Sequence, residues 1–258
     1  MRLIVLFLFT LIIHSCTAAP QSVLDLGVAV KYPDFGDYDP VEWEHRKPTQ
    51  YPVHGIDVSR WQGDIDWKTA KRGGVAFAFI KATEGGDHVD KKFMENWTNS
   101  GKAGMPRGAY HFYYFCRTAK EQADWFKRNV PKDPKALPPV IDMEWNHQSS
   151  CKYKPTAAKI RREMRSFMRM MREHYGKKPI IYTTVDFYKD NQLALIQDHE
   201  YWLRSVAGHP SQVYPGQRWS FWQYTGTGKI PGIKGETDIN AFAGTPAAWR
   251  KWVEARTQ

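Results

Sequence analysis

Asp142 and Glu144 are the residues whose type and spacing point most directly to chemistry. The stretch Pro139-Val140-Ile141-Asp142-Met143-Glu144-Trp145 reads as a strand. Residues two apart on a strand point to the same face, with Cα atoms roughly 6.6 Å apart. Carboxyls that close raise each other's pKa. One can keep its proton near neutral pH while its neighbour acts as base, nucleophile or orienting group. Cleavage of a glycosidic bond uses that division: one group protonates the leaving oxygen and negative charge stabilises the cationic transition state. The plain alternative is a surface strand with two solvated acids. Pro138 to Ile141 before the pair, with Met143 and Trp145 around it, favour burial.

Other polar residues fall late in predicted strands. Asp57 ends the first, Lys81 and Glu84 follow the second, His111 lies late in the third and Asp238 sits in the last. Metal chemistry finds little support, because the histidines are scattered and neither His-x-x-x-His nor Cys-x-x-Cys spacing occurs. A magnesium site made of carboxylates stays open. There is no Gly-x-Ser-x-Gly elbow, no nucleotide loop and no histidine signal that would make Cys116 a nucleophile. No cofactor is expected.

The elements that must position these groups alternate. Strands are predicted at 55–59, 75–81, 107–115, 139–145, 179–183, 201–206, 219–224 and 238–242. Helices are predicted at 65–72, 93–103, 118–129 and 159–178, and fade after about residue 201. About eight strands in this order predict a parallel α/β barrel, whose strand ends converge on one mouth. A doubly wound sheet usually carries a Gly-rich phosphate turn after its first strand; here that turn reads Ser59-Arg60-Trp61-Gln62.

Met1 and Arg2, an apolar run to Ile13 and small residues to Ala19 read as a secretory signal peptide cut after Ala19. Lipid attachment at Cys16 is the alternative. The expected product is exported to the periplasm or the exterior, without a stable membrane span, and monomeric. Residues 20–53 read as an extension or linker, and 54–258 as the barrel domain. Cys116 and Cys151 then form an even pair in an oxidising compartment. Two arrangements stay open, a disulfide that pins loops near the mouth or two buried free thiols. The formal net charge is +10, concentrated in the helix at 159–178. A solvated helix face accounts for it, with loose attraction to an anionic wall as the second reading. Nucleic-acid binding is disfavoured, because no reading motif accompanies the charge.

The sequence resembles glycoside hydrolase family 25, the N-acetylmuramidase lysozymes. The resemblance lies in Gly55-Ile56-Asp57-Val58-Ser59 with Gln62, Phe79 to Gly85, Gly108-Ala109-Tyr110-His111-Phe112 and Pro139 to Glu144. It continues through Ile181-Tyr182, Tyr201-Trp202, Phe221-Trp222-Gln223-Tyr224 and Asp238-Ile239-Asn240 with Phe242, in the family's order over about residues 54–250. It implies a modified β/α barrel whose last strands lack regular helices. It also implies hydrolysis of the β-1,4 bond from N-acetylmuramic acid to N-acetylglucosamine in peptidoglycan glycan strands. Glu144 would be the general acid. Asp142 would hold the substrate N-acetyl group or stabilise the transition state, and Asp57 and Asp238 would complete the acidic cluster. A protein nucleophile and assistance by the substrate's own N-acetyl group both remain open. Tyr110, Phe112, Tyr182, Trp202 and Trp222 are candidates for sugar stacking, each with barrel core as the alternative. Gln223, Lys81 and Glu84 are candidate polar contacts. The rival functions are a catalytically silent wall-binding module on the same barrel and a chitinase-like enzyme; the latter's Asp-x-x-Asp-x-Asp-x-Glu strand is absent.

Overall fold

The computed structural model describes residues 33, 35–146 and 150–257. The expected signal peptide, its cut after Ala19 and the alternative lipid site at Cys16 lie outside the described residues, as do His147 and Gln148 of the loop after the acidic strand. Eight strands close a barrel: β1 (His54–Val58), β2 (Val75–Glu84), β3 (Arg107–Phe112), β4 (Val140–Met143), β5 (Ile180–Thr183), β6 (Glu200–Arg204), β7 (Phe221–Lys229) and β8 (Thr237–Phe242). Strands β1 to β7 pair parallel in chain order. The last strand differs from the all-parallel expectation: β8 runs antiparallel to both β7 and β1 and closes the ring between them. The physical reason is the connection. Residues 230–236 join β7 to β8 without a helix, and so short a link serves an antiparallel neighbour but not a parallel crossover.

Helices cover the first part of the barrel. Helix α1 (Trp67–Arg72) starts at Asp66, whose side chain accepts from the Thr69 amide. Helix α2 (Phe93–Lys102) follows β2. Helix α3 (Ala119–Asn129) opens on a reciprocal capping box between Thr118 and Glu121. Helix α4 (Ala157–Tyr175) buries Ile160, Met164, Phe167, Met168 and Met171, turns its basic residues outward and stops at Gly176 in the left-handed region. Beyond β5 come only the short α5 (Val185–Asp190) and α6 (Pro210–Val213), and then α7 (Pro246–Glu254) after β8. The sequence pattern missed α7 although Thr245 caps it and Pro246 starts it.

Strand alternation sorts the side chains into two layers. Ile56, Val58, Ala78, Ile80, Ile141, Met143, Ile181 and Leu203 point outward into the core shared with the helices. Phe77, Phe79, Val140, Ile180, Tyr182, Trp202, Phe221 and Phe242 fill the barrel interior, with Trp249 of α7 packed among them. Two glycines make room for this filling. A Cβ on Gly55 would lie 2.4 Å from the Phe77 ring, and one on Gly108 would lie 2.9 Å from Phe79.

The described part of the expected linker is packed against β7. Gly36 and Asp37 pair antiparallel with Lys229 and Gly228. The Trp43 ring meets Trp222 edge-on at 5.0 Å, and Tyr51 packs on His209 and Trp219. These aromatic anchors follow no helix or strand period, so no sequence pattern announced them. Among the described residues, no helix is long and apolar enough to cross a membrane.

Candidate active site

The inward positions at one end of the barrel change from apolar to charged. Asp57 from β1, Lys81 from β2, Tyr110 and Phe112 from β3, Asp142 and Glu144 from β4 and its loop, Tyr182, Trp202, Gln223 and Asp238 all line one open cleft. The spacing argument therefore places the carboxylate pair on one face, and the closed barrel adds Asp57 and Asp238 from across the ring. Asp57 and Asp238 are register partners on adjacent strands.

Each carboxylate is held differently. Asp57 is buried, and its Oδ2 accepts hydrogen bonds from Gln223 Nε2 at 2.9 Å and Asn240 Nδ2 at 2.8 Å. Those two amides are fixed in turn. Tyr182 donates to Gln223 Oε1 at 3.0 Å, and Trp202 Nε1 donates to Asn240 Oδ1 at 2.7 Å. Burial raises the Asp57 carboxyl to about 6 against the pull of those donors and of Arg204. Burial likewise raises Glu144 to about 7, although Arg204 and Lys81 oppose it. Asp142 is raised well above the usual carboxylate range, by burial first and by Glu144 second. Burial and the neighbouring Asp57 do the same to Asp238. Asp142 Oδ1 is buried and has no hydrogen-bond partner. A buried polar atom left unpaired costs stability, which marks it as a place where function outweighs packing.

Cations and rings complete the cleft. Lys81 Nζ binds Glu84 at 2.6 Å and lies 4.9 Å above the Phe112 ring. Trp202 stacks on Phe79 at 4.7 Å, which sets its ring at the floor. Trp61 stands at the rim with 77% of its surface exposed. Burial pushes the Tyr110 and Tyr182 hydroxyls up, so both stay neutral donors.

Two predicted contacts are placed elsewhere. Trp222 is fully buried on the outer face of β7, its indole donating to the Ser205 carbonyl at 2.8 Å, and it does not line the cleft. It directly precedes Gln223, and neighbours on a strand face opposite ways. Glu84 sits behind Lys81, bound to it and to the Tyr114 hydroxyl, outside the cleft lining. His111 is also turned outward, hydrogen-bonded to Thr83 at 2.7 Å and Gln122 at 3.1 Å. Sequence reasoning missed Arg204 and Trp61, both of which line the cleft. Arg204 was legible, since it lies two residues after Trp202 on β6 and shares its face. No group of three or more His, Cys, Asp or Glu among the described residues is arranged to hold a metal ion.

The model for glycosyl hydrolases family 25 matches residues 56–233. The chain belongs to that family. Family 25 membership agrees with relatives along most of its length. It is 36% identical over 232 residues to an uncharacterized protein, YegX, of Escherichia coli K12, covering 86% of this chain and 82% of the relative. It is 34% identical over 203 residues to lysozyme M1 of Streptomyces globisporus, covering 76% and 69%. A family 25 glycosyl hydrolase from Bacillus anthracis superposes with a TM-score of 0.73 at 39% identity, covering 83% of this chain and 98% of that one. This family 25 protein is a glycoside hydrolase on a closed eight-strand barrel with helices, and the acidic cleft lies at the barrel's mouth.

The disulfide alternative is the one realised. Cys116 and Cys151 are bonded, with Cα atoms 5.8 Å apart. The bridge ties the loop after β3 to the loop after β4, beside the cleft.

Proposed function

We propose that the protein is an exported lysozyme. It hydrolyses the β-1,4 bond from N-acetylmuramic acid to N-acetylglucosamine in peptidoglycan, with Glu144 as general acid. The observation that carries this reading is Glu144 itself. It is a carboxyl raised to about 7 by burial, so much of it keeps its proton at neutral pH, in a cleft it shares with Asp57, Asp142 and Asp238. A proton donor that shares its cleft with the fixed carboxylate of Asp57 suits a leaving oxygen and a developing oxocarbenium ion.

The other groups take roles by position. The unpartnered Oδ1 of Asp142 accepts the N–H of the substrate's acetamido group and turns its carbonyl toward the anomeric carbon. Asp57, held by Gln223 and Asn240, stays put while charge develops, which is the preorganisation that electrostatic stabilisation needs. Trp61 and Phe112 offer ring faces to sugars, and Arg204 and Lys81 limit how far the acids are pushed up. Lysozyme M1, a relative at 34% identity, supports the substrate class, and the predicted signal peptide supports export.

The test is digestion of purified peptidoglycan by residues 20–258, with mass spectrometry of the fragments. New ends should be reducing N-acetylmuramic acid, and Glu144→Gln should fold normally and release none. Reducing N-acetylglucosamine ends would overturn the bond assignment. Unchanged release by Glu144→Gln would overturn the role of the acid.

A further inference from the structure

Trp202 lines the cleft, yet only 2% of its surface is exposed. Its ring stacks on Phe79 at 4.7 Å and is met edge-on by Tyr182 at 4.6 Å. A stacking sugar needs an open ring face, and this ring is packed into the barrel core. What it offers instead is its indole N–H. Nε1 donates to Asn240 Oδ1 at 2.7 Å, and Asn240 Nδ2 donates to Asp57 Oδ2 at 2.8 Å. Asn240 is fully buried.

The indole gives this relay a fixed direction, because an indole nitrogen only donates. A flipped Asn240 would set its NH2 against that N–H and its oxygen against the Asp57 carboxylate. The amide therefore keeps its donor turned to Asp57. A proton on Asp57 Oδ2 would meet that donor, so the bare carboxylate is favoured. The second relay, from Tyr182 through Gln223 to Asp57, has no such direction. A phenol hydroxyl donates or accepts, so the Gln223 amide can turn over when Asp57 takes a proton.

Asp57 shares the cleft with Arg204 from β6, Asp238 from β8, Asp142 and Glu144 from β4 and its loop, and Lys81 from β2. Tyr110 and Tyr182 stand there as neutral hydroxyls. Burial raises Asp57, Glu144 and Asp238, and Arg204 lowers all three, so this cation does not single out one acid as the anion. The amide donors do: two reach Asp57, while the buried Asp142 Oδ1 accepts none.

We propose that Trp202 is a positioning residue: through Asn240 it keeps Asp57 as the carboxylate of the cleft, so that the proton for the leaving oxygen stays on Glu144. The inference rests on the lysozyme reading and deepens it. An anion at Asp57 adds to burial in holding the proton on Glu144.

The experiment is the pH dependence of kcat and KM on soluble peptidoglycan strands for wild type, Trp202→Phe and Tyr182→Phe. Trp202→Phe keeps an aromatic ring and loses the N–H. Its acidic limb should move up by about one pH unit, because a less favoured carboxylate ionises later, with KM within about twofold of wild type. Tyr182→Phe should move the limb less. An unmoved limb with a raised KM is what a sugar platform would give, and it overturns the proposal. A larger shift in Tyr182→Phe than in Trp202→Phe overturns it too. Loss of the indole can also unfold the barrel, so a second readout uses the intact protein. In isotope-labelled wild type the Trp202 indole N–H resonance should titrate with a midpoint of about 6, and Asp57→Asn should lose that step. A resonance that stays flat across that range overturns the relay. Wild type that cleaves no strand would instead sink the lysozyme reading, and the titration would still decide the relay.

Discussion

At one end of the barrel, β2, β4, β5, β7 and β8 turn Phe77, Val140, Ile180, Phe221 and Phe242 inward, and Trp249 of α7 plugs the opening. At the other end the same strands turn Lys81, Asp142, Tyr182, Gln223 and Asp238 toward the same axis. The alternation rule does not change between the two ends; only the residue types do. The apolar end gains stability from every ring it buries. The acidic end loses stability, because its carboxyls are buried and poorly compensated. The plugged end therefore supports the strained end, and the comparison teaches where a substitution should cost stability and where it should cost turnover.

The most forceful way to break that division is at the acidic end. Glu144→Gln should lower kcat on the order of 10²- to 10⁴-fold, the usual worth of a positioned general acid, with the circular dichroism spectrum unchanged. The opposite end should answer differently. Phe77→Ala should lower unfolding free energy by about 3–5 kcal/mol in a denaturant titration, while kcat per folded molecule stays near wild type. Loss of kcat without loss of stability there would mean that the two ends are not separable.

A smaller effect sharpens the claim that the mouth is strained. Glu144 titrates at about 7 when folded, above its ordinary value of 4.5. The native state thus binds more protons than the unfolded chain between those values, so this group's contribution to stability falls as pH rises through that window. Glu144→Gln escapes the loss. It should be about 1–3 kcal/mol more stable than wild type at pH 8 and equal to it below pH 4, as read from unfolding midpoints at the two pH values. A variant that is less stable than wild type at pH 8 would contradict the strain.

The smallest expected effect concerns Arg204, which with Lys81 restrains the acids. Burial, with Asp186 and Asp57, pushes the Glu144 carboxyl up, and Arg204 and Lys81 oppose it. Arg204→Gln should move the alkaline limb of the rate profile to higher pH by less than about one unit, because Glu144 then keeps its proton longer. A shift to lower pH would show that Arg204 holds the acid in some other way.

Much of this was legible in the chain alone. The spacing of Asp142 and Glu144 placed both on one face, because a strand repeats every two residues whatever surrounds it. The count of strands and the fading of helices after residue 201 suggested the barrel, and Thr118 marked the start of α3 correctly. Pairwise spacing also held unread information. Trp222 and Gln223 cannot both face the axis, and Arg204 must share the face of Trp202.

What only the tertiary structure decided are relations between residues far apart in sequence. The antiparallel closure by β8 brings Asp238 beside Asp57, although 181 positions separate them. Burial, which no local pattern measures, raises Glu144 to about 7 and leaves Asp142 Oδ1 without a partner. The aromatic residues of the N-terminal segment become anchors because β7 offers an outer face that they can cover. Local periodicity assigns a side chain to a face of its own strand. Ring closure decides which faces meet, and the exclusion of water where they meet decides which of those side chains can keep a proton.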